Sequence, residues 1–155
     1  MAIRDPAYAV QAGVFAALTA SPAMIAAFAG VPRVYDTVPL APDGTIDTGK
    51  FPYVTIGDDQ LLPGPVNSNT DPSEIWVKVE VWSRPQAILD NSEVKLIAGA
   101  VRAALDASIP LIAHDVDTHA FHGARYLREP DGLTRRAIVT IRYRTTPIGV
   151  SPEIP

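Results

Sequence analysis

The run Glu74 to Arg84, EIWVKVEVWSR, constrains the fold more than any other part of the chain. With a side-chain period of two, Ile75, Val77, Val79 and Val81 share one face of a strand, and Trp76, Lys78, Glu80 and Trp82 fall on the other. The first face is core. The second is only half dry, because two Trp bracket an ion-capable Lys and Glu, and such a surface suits cover by a helix of the same chain or by a neighbouring subunit. The strand therefore poses the functional question: does the domain act on something, or assemble into something?

Upstream, Asp5 followed by Pro6 reads as a helix cap with Pro at the first helical position, and Val10, Val14 (or Ala17) and Leu18 line one side of a helix ending near Thr19. Ser21 and Pro22 repeat the signature, opening a shorter helix with Met24, Ile25 and Phe28 that Gly30 stops. Arg33 to Asp36 is a brief extended segment. A loop over 40–50 carries a Pro-Asp-Gly turn, Tyr53 to Ile56 reads as a strand that Asp58 and Asp59 end, and residues 61–73 form a second long, Pro-rich loop. Two such loops in a compact domain point to use. After the Trp-bearing strand, Ser92 caps a helix with Glu93 in its first turn and an apolar stripe of Leu96, Ile97, Ala100, Val101, Ala104 and Leu105. Asp115 to Arg128 alternates imperfectly as a strand, Glu129 to Gly132 form a turn, and Arg135 to Arg144 closes the sheet with Val139, Ile141 and Tyr143 on one side. The pattern predicts an α+β fold: a mostly antiparallel sheet of four to five strands with two main helices packed against it.

A chain of 155 residues fits one domain, expected over 1–146, with 147–155 as a C-terminal tail. No apolar stretch approaches the roughly 20 residues of a membrane helix, so no membrane partner is expected and the chain reads as soluble. The Ala-rich N-terminus has a helical stripe interrupted by Asp5, Tyr8 and Gln11, which argues against a signal peptide. The absence of cysteine removes disulfides and thiolate chemistry, and fits assembly in a reducing cytoplasm.

Charge is unevenly spread. Ahead of residue 121 there are 7 Lys and Arg against 14 Asp and Glu, whereas Arg125 to Arg144 holds six Arg against Glu129 and Asp131. Unlike surfaces of this kind serve a polyanion contact or head-to-tail packing of identical subunits. The one cluster with ligand-like density is HDVDTHAFH, His114 to His122. On a regular strand Asp115, Asp117 and His119 face the same way, which keeps open a small metal-dependent enzyme as an alternative; a ligand-binding accessory domain is a third. Against an enzyme, no GxSxG elbow, Walker loop, dinucleotide fingerprint or HExxH helix is present. The two tyrosines among six Arg do not make a nucleic-acid reader. No catalytic, cofactor-binding or metal-ligating residue is assigned, and no cofactor is expected.

The ordered landmarks resemble a known family, the small tail-completion or tail-terminator proteins of long-tailed phages and related gene transfer agents. The residues that carry the resemblance are helix Tyr8 to Leu18, then Val34-Tyr35-Asp36, the Phe51 to Gly57 segment FPYVTIG, Glu74 to Arg84 with its VWSR ending, helix Val94 to Leu105, and the strand Arg135 to Tyr143 after Pro130-Asp131-Gly132. The resemblance implies a structural virion protein and no enzyme: a ring, usually a hexamer, that ends the tail tube and joins it to the head-side neck. A head-tail stopper or adaptor of the same neck is the nearest alternative. Its implied partners are further copies of itself, the tail tube protein and a neck or head-completion protein, with DNA passing through the lumen unbound and assembly in the bacterial host cytoplasm. A closed ring needs two unlike patches per subunit. Arg125, Arg128, Arg135 and Arg136, with Trp76 and Trp82, are the expected subunit-interface residues, and loops 37–50 and 61–73 are expected to reach the adjoining rings.

Overall fold

The computed structural model describes residues 5–64, 71–85 and 91–148. Helices α1 (Ala7–Ala20) and α2 (Pro22–Phe28) lead into β1 (Val34–Tyr35), β2 (Tyr53–Pro63) and β3 (Ser73–Ser83); α3 (Ser92–Ala104) follows, then β4 (His114–Arg128) and β5 (Arg135–Pro147). The five strands form one sheet in the order β1-β2-β3-β5-β4. Among the described strands only the β1–β2 pair is parallel. The expected α+β class with a largely antiparallel sheet is what the chain adopts.

The core follows from strand parity. Val54 and Ile56 of β2 lie beside Val81 and Val79 of β3, and Ile75, Val77, Val79 and Val81 lie beside Tyr143, Ile141, Val139 and Ala137 of β5. The three helices cover this face with Val10, Val14, Leu18, Met24, Val94, Ile97, Val101 and Leu105, so that one continuous cluster is formed. Burying each such side chain contributes about 1.5–3 kcal/mol, which makes this layer the main source of stability. Helix α1 approaches so closely that a Cβ at Gly13 would lie 2.7 Å from Leu111 Cδ2.

Local rules account for the helix ends. Asp5 Oδ1 accepts from the Ala7 N–H at 2.8 Å, and Ser21 Oγ accepts from the Met24 N–H. At the end of α2, the Gly30 and Ala29 N–H groups donate to Ile25 and Ala26 carbonyls, a Schellman closure. The left-handed position in it is taken by Ala29 (φ 51°), one residue before the expected Gly30. Ser92 is the first helical residue of α3 rather than its cap, which is Asn91.

Four further expectations are corrected. Leu96 is 63% exposed, and the buried stripe of α3 runs through Val94, Ile97, Ala98 and Val101 instead. Asp58 and Asp59 do not end a strand: Asp58 takes φ 57° and a bulge between Gly57 and Gln60 carries β2 on to Pro63. Leu61, Leu62, Pro63 and Ser73 therefore belong to strands, and the middle of that loop lies outside the described residues. At the other end, Thr145 is fully buried within β5, and the strand extends to Pro147.

Candidate functional site

The sheet face opposite the helices is open along most of its length, and it carries the polar side chains that parity assigns to it. Glu80 of β3 is almost fully buried there, held by the Arg136 Nη2 of β5, while the Arg136 guanidinium lies 4.7 Å over the Trp82 ring. Trp82 Nε1 donates to Thr55 Oγ1 at 3.1 Å. Further along, Trp76 Nε1 donates to Glu74, Arg144 lies 3.6 Å from the same carboxylate, and the His122 ring sits 4.0 Å from Trp76. The two Trp are thus half-buried members of internal networks at either end of the face. Lys78 and Arg125 lie between them and Arg142 lies beside Trp76, and among the described residues no carboxylate is within ion-pair distance of any of the three. The middle of the open face is cationic.

The loop over 37–50 folds back over the Trp82 end. Its tip is built by Asp43, which accepts from the Thr45 N–H and hydroxyl; these bonds lower the Asp43 pKa. The Phe51 ring lies 4.9 Å from that of Tyr53, tilted by 38°, and the Arg84 guanidinium lies 4.9 Å over Phe51. Ile46, Phe51, Tyr53 and Trp82 border a cavity of about 160 Å³ with Glu129 and Asp131 of the β4–β5 turn at its rim. Tyr53 is fully buried and burial pushes its pKa up to about 12, against the opposing charge of Arg84. This aromatic corner was not singled out from sequence, although Phe51 and Tyr53 were read as part of a strand landmark.

The four arginines expected at subunit contacts do not form one patch. Arg125 lies opposite Ile138 on the open face and is exposed; Arg128 lies opposite Arg135 on the helix side. Arg135 is only 5% exposed, with Nη1 donating to the Gly132 carbonyl, and Arg136 is committed to Glu80 and Glu129. The parity of the residue numbers, 125 and 136 against 128 and 135, reflects this division once the hairpin register is known.

The HDVDTHAFH segment does not converge. A bulge between Val116 and Thr118 makes Asp117 surplus, so Asp115 pairs with Thr146 on the open face while His119 pairs with Tyr143 on the helix side. A second bulge at Phe121/Gly123 puts His122 beside Trp76. His114 Nδ1 and His119 Nε2 are each within hydrogen-bond distance of a backbone carbonyl, those of Ile112 and Asp106, and Asp117 accepts from the Thr146 hydroxyl. Among the described residues no three His, Asp or Glu side chains come together as a metal site.

The helical side offers a contrasting surface. Neither α1 nor α2 contains a charged residue, and beyond their buried stripe they expose Tyr8 (78%), Phe15 (43%) and Ile25. A helix apolar all round is one that expects cover on both sides. No single described helix is long and apolar enough to cross a membrane, and the α1–α2 pair, which together would be, bends by 61°.

No curated protein matches the sequence. In fold it is similar to a chain of a solved structure, the virion of a native gene transfer agent particle, with a TM-score of 0.75 and 23% identity over 90% of this chain and 96% of that one. Residues 12–146 match the family described as tail completion protein gp17. That match runs from α1 to the last strand, so the chain belongs to the tail completion protein gp17 family and is a structural protein of the virion tail.

Proposed function

We propose that the protein forms a closed ring, a hexamer, that ends the tail tube at its head-proximal side and joins it to the neck. The observation that carries this reading is the unlikeness of two surfaces on one protomer, the uncharged α1–α2 layer with Tyr8 and Phe15 and the cationic open face with Lys78, Arg125 and Arg142. A ring of identical copies needs one patch that docks on a different patch of the neighbour, with a rotation that closes. An exposed apolar helix face rimmed by polar residues is of the kind that becomes the dry centre of such an interface. Arg125 and Arg128 are the exposed members of the expected set, and they act at its rim. The 37–50 loop, folded back over the Trp82 end of the open face, meets an adjoining ring. Family membership supports the same reading, since completing a tail is a matter of fitting one surface to the tube and presenting a different one above it. DNA passes through the lumen without specific contacts, and the ring is assembled in the bacterial host cytoplasm.

The decisive experiment is negative-stain imaging of particles made without this protein. Tails of uncontrolled length, or full heads beside unattached tails, are expected. Normal joined particles would overturn the reading.

A further inference from the structure

The sheet is polarised from side to side. On the β1 flank, Asp36 follows the strand and Asp58 stands on the bulge of β2; both are exposed, and among the described residues no Lys, Arg or His is within ion-pair distance of either. On the β4 flank, Arg125 and Arg128 of the strand and Lys95 and Arg102 of α3 are exposed, and among the described residues none of them has a carboxylate in range. In the order β1-β2-β3-β5-β4 the flanks are four strand spacings apart, about 19 Å. Within one protomer these charges cannot reach each other.

Apolar side chains follow the same division. Helix α1 packs against β1 and β2, and its Tyr8, Gln11 and Phe15 share one side at the helical spacing of three and four, with both rings exposed. Gln11 Nε2 donates to Asp36 Oδ1 at 2.9 Å, which fastens the carboxylate to that side of the helix. Across the sheet, Phe121 and Tyr126 are exposed and lie under cations: the Arg102 guanidinium is 3.9 Å from the Phe121 ring centre, and the Lys95 ammonium is 5.4 Å from that of Tyr126. One flank presents two rings beside an anion, the other two rings beneath two cations. Copies meeting by the same flank would set Asp36 against Asp36 or Arg128 against Arg128, which repels. Unlike flanks attract, and a contact between them is head to tail, the kind from which a closed ring is made.

We infer that the Tyr8–Phe15 side of α1 in one copy docks on the Phe121–Tyr126 flank of the next, with Asp36 of the first facing Arg128 of the second. Both members of that pair stand on the helical side of the sheet, Asp36 through its bond to α1 and Arg128 by its register opposite Arg135. The inference rests on the ring reading and deepens it, since it names the two flanks that meet. Rings at the centre supply the dry area, and the charges around them fix register and direction.

Charge reversal in full-length chains tests the contact, read by sedimentation of each chain alone and with purified tail tubes. Asp36→Arg and Arg128→Glu, at exposed positions without an ion-pair partner among the described residues, should each leave the melting temperature unchanged and weaken association by at least about tenfold. The double variant regains an opposite pair at every contact and should recover most of that loss. A second set of variants isolates one contact: Tyr8→Glu with Phe15→Glu disables one flank, and Arg125→Glu with Arg128→Glu disables the other. Each of these chains alone should remain monomeric, and an equal mixture should stop at one-to-one dimers. A double reversal no better than the single ones, self-association of either flank-disabled chain at the parent's strength, or a mixture that stays monomeric overturns the inference, and rings formed by the parent in the same series leave the ring reading intact. A parent that closes no ring on the tubes, beside a mixture that dimerises, sinks the ring reading and leaves the contact standing. A parent that associates neither alone nor on tubes overturns both.

Discussion

The Arg84 guanidinium at the end of β3 lies 3.0 Å from Asp131 Oδ2 in the β4–β5 turn, a tie between segments 47 residues apart. Asp131 also accepts from the Leu133 and Thr134 N–H groups at 2.8 Å and from the Thr134 hydroxyl at 2.6 Å. The Thr134 hydroxyl, foremost, then its N–H hold the Asp131 pKa down at about 2, with Leu133 and Arg84 adding to the effect. A carboxylate whose folded pKa is depressed adds stability that is complete above its unfolded value near 4 and is lost as pH falls through about 2. Urea unfolding should show this loss between about pH 4 and pH 2 and a flatter profile in Asp131→Asn. At pH 7 that variant should cost only about 1 kcal/mol, because the carboxylate is exposed to screening by water. An unchanged pH profile would refute the tie.

Under the proposed ring, substitutions at Arg136 and Arg125 are expected to separate folding from assembly. Arg136→Met leaves the nearly buried Glu80 carboxylate without its partner, and should destabilise the protomer by about 3 kcal/mol. Arg125→Glu touches no internal partner among the described residues, and should leave the melting temperature within error while weakening subunit association. Thermal melts and sedimentation of the two variants measure the difference.

Ala29 pays the steric cost of a left-handed residue at the end of α2. Ala29→Gly relieves it and should stabilise the protein by roughly 0.5–1 kcal/mol, read as a higher denaturant midpoint with an unchanged slope.

Tyr143 is fully buried on the core face, and burial raises its pKa above the ordinary phenol range; its hydroxyl has no hydrogen-bond partner among the described residues. Tyr143→Phe removes an unsatisfied polar atom while keeping the ring, so it should be neutral or stabilising by up to about 1 kcal/mol. Tyr143→Ala should cost about 3–5 kcal/mol through the cavity it opens. Chemical unfolding of both variants provides the check.

What could be seen in the sequence depended on how regular each element is. β3 and β5 were legible because their period of two is unbroken over the whole strand, so that Val77 and Ile141 are placed in the core by counting alone. β4 was not, since its surplus Asp117 and His122 each shift the alternation and send nominally same-face residues to opposite sides. The second half of β2 was hidden by Asp58 and Asp59, which read as a strand end and form a bulge. In α3, alanines on several sides left the phase of the stripe open, and Leu96 fell on the solvent side. The grouping of the arginines was not legible either: adjacent Arg135 and Arg136 look like one basic patch in a linear string, but a strand turns them to opposite sides.

The two bulges of β4 have one more consequence. β4 is the longer of the two edge strands of the sheet, 15 residues long against two in β1, and its unpaired backbone would otherwise be a template on which a further strand could be laid. Each surplus residue kinks that rim and breaks the even ladder of donors and acceptors. Addition of a further strand along this rim is thereby disfavoured, which leaves surfaces made of side chains as the places where another chain can fit.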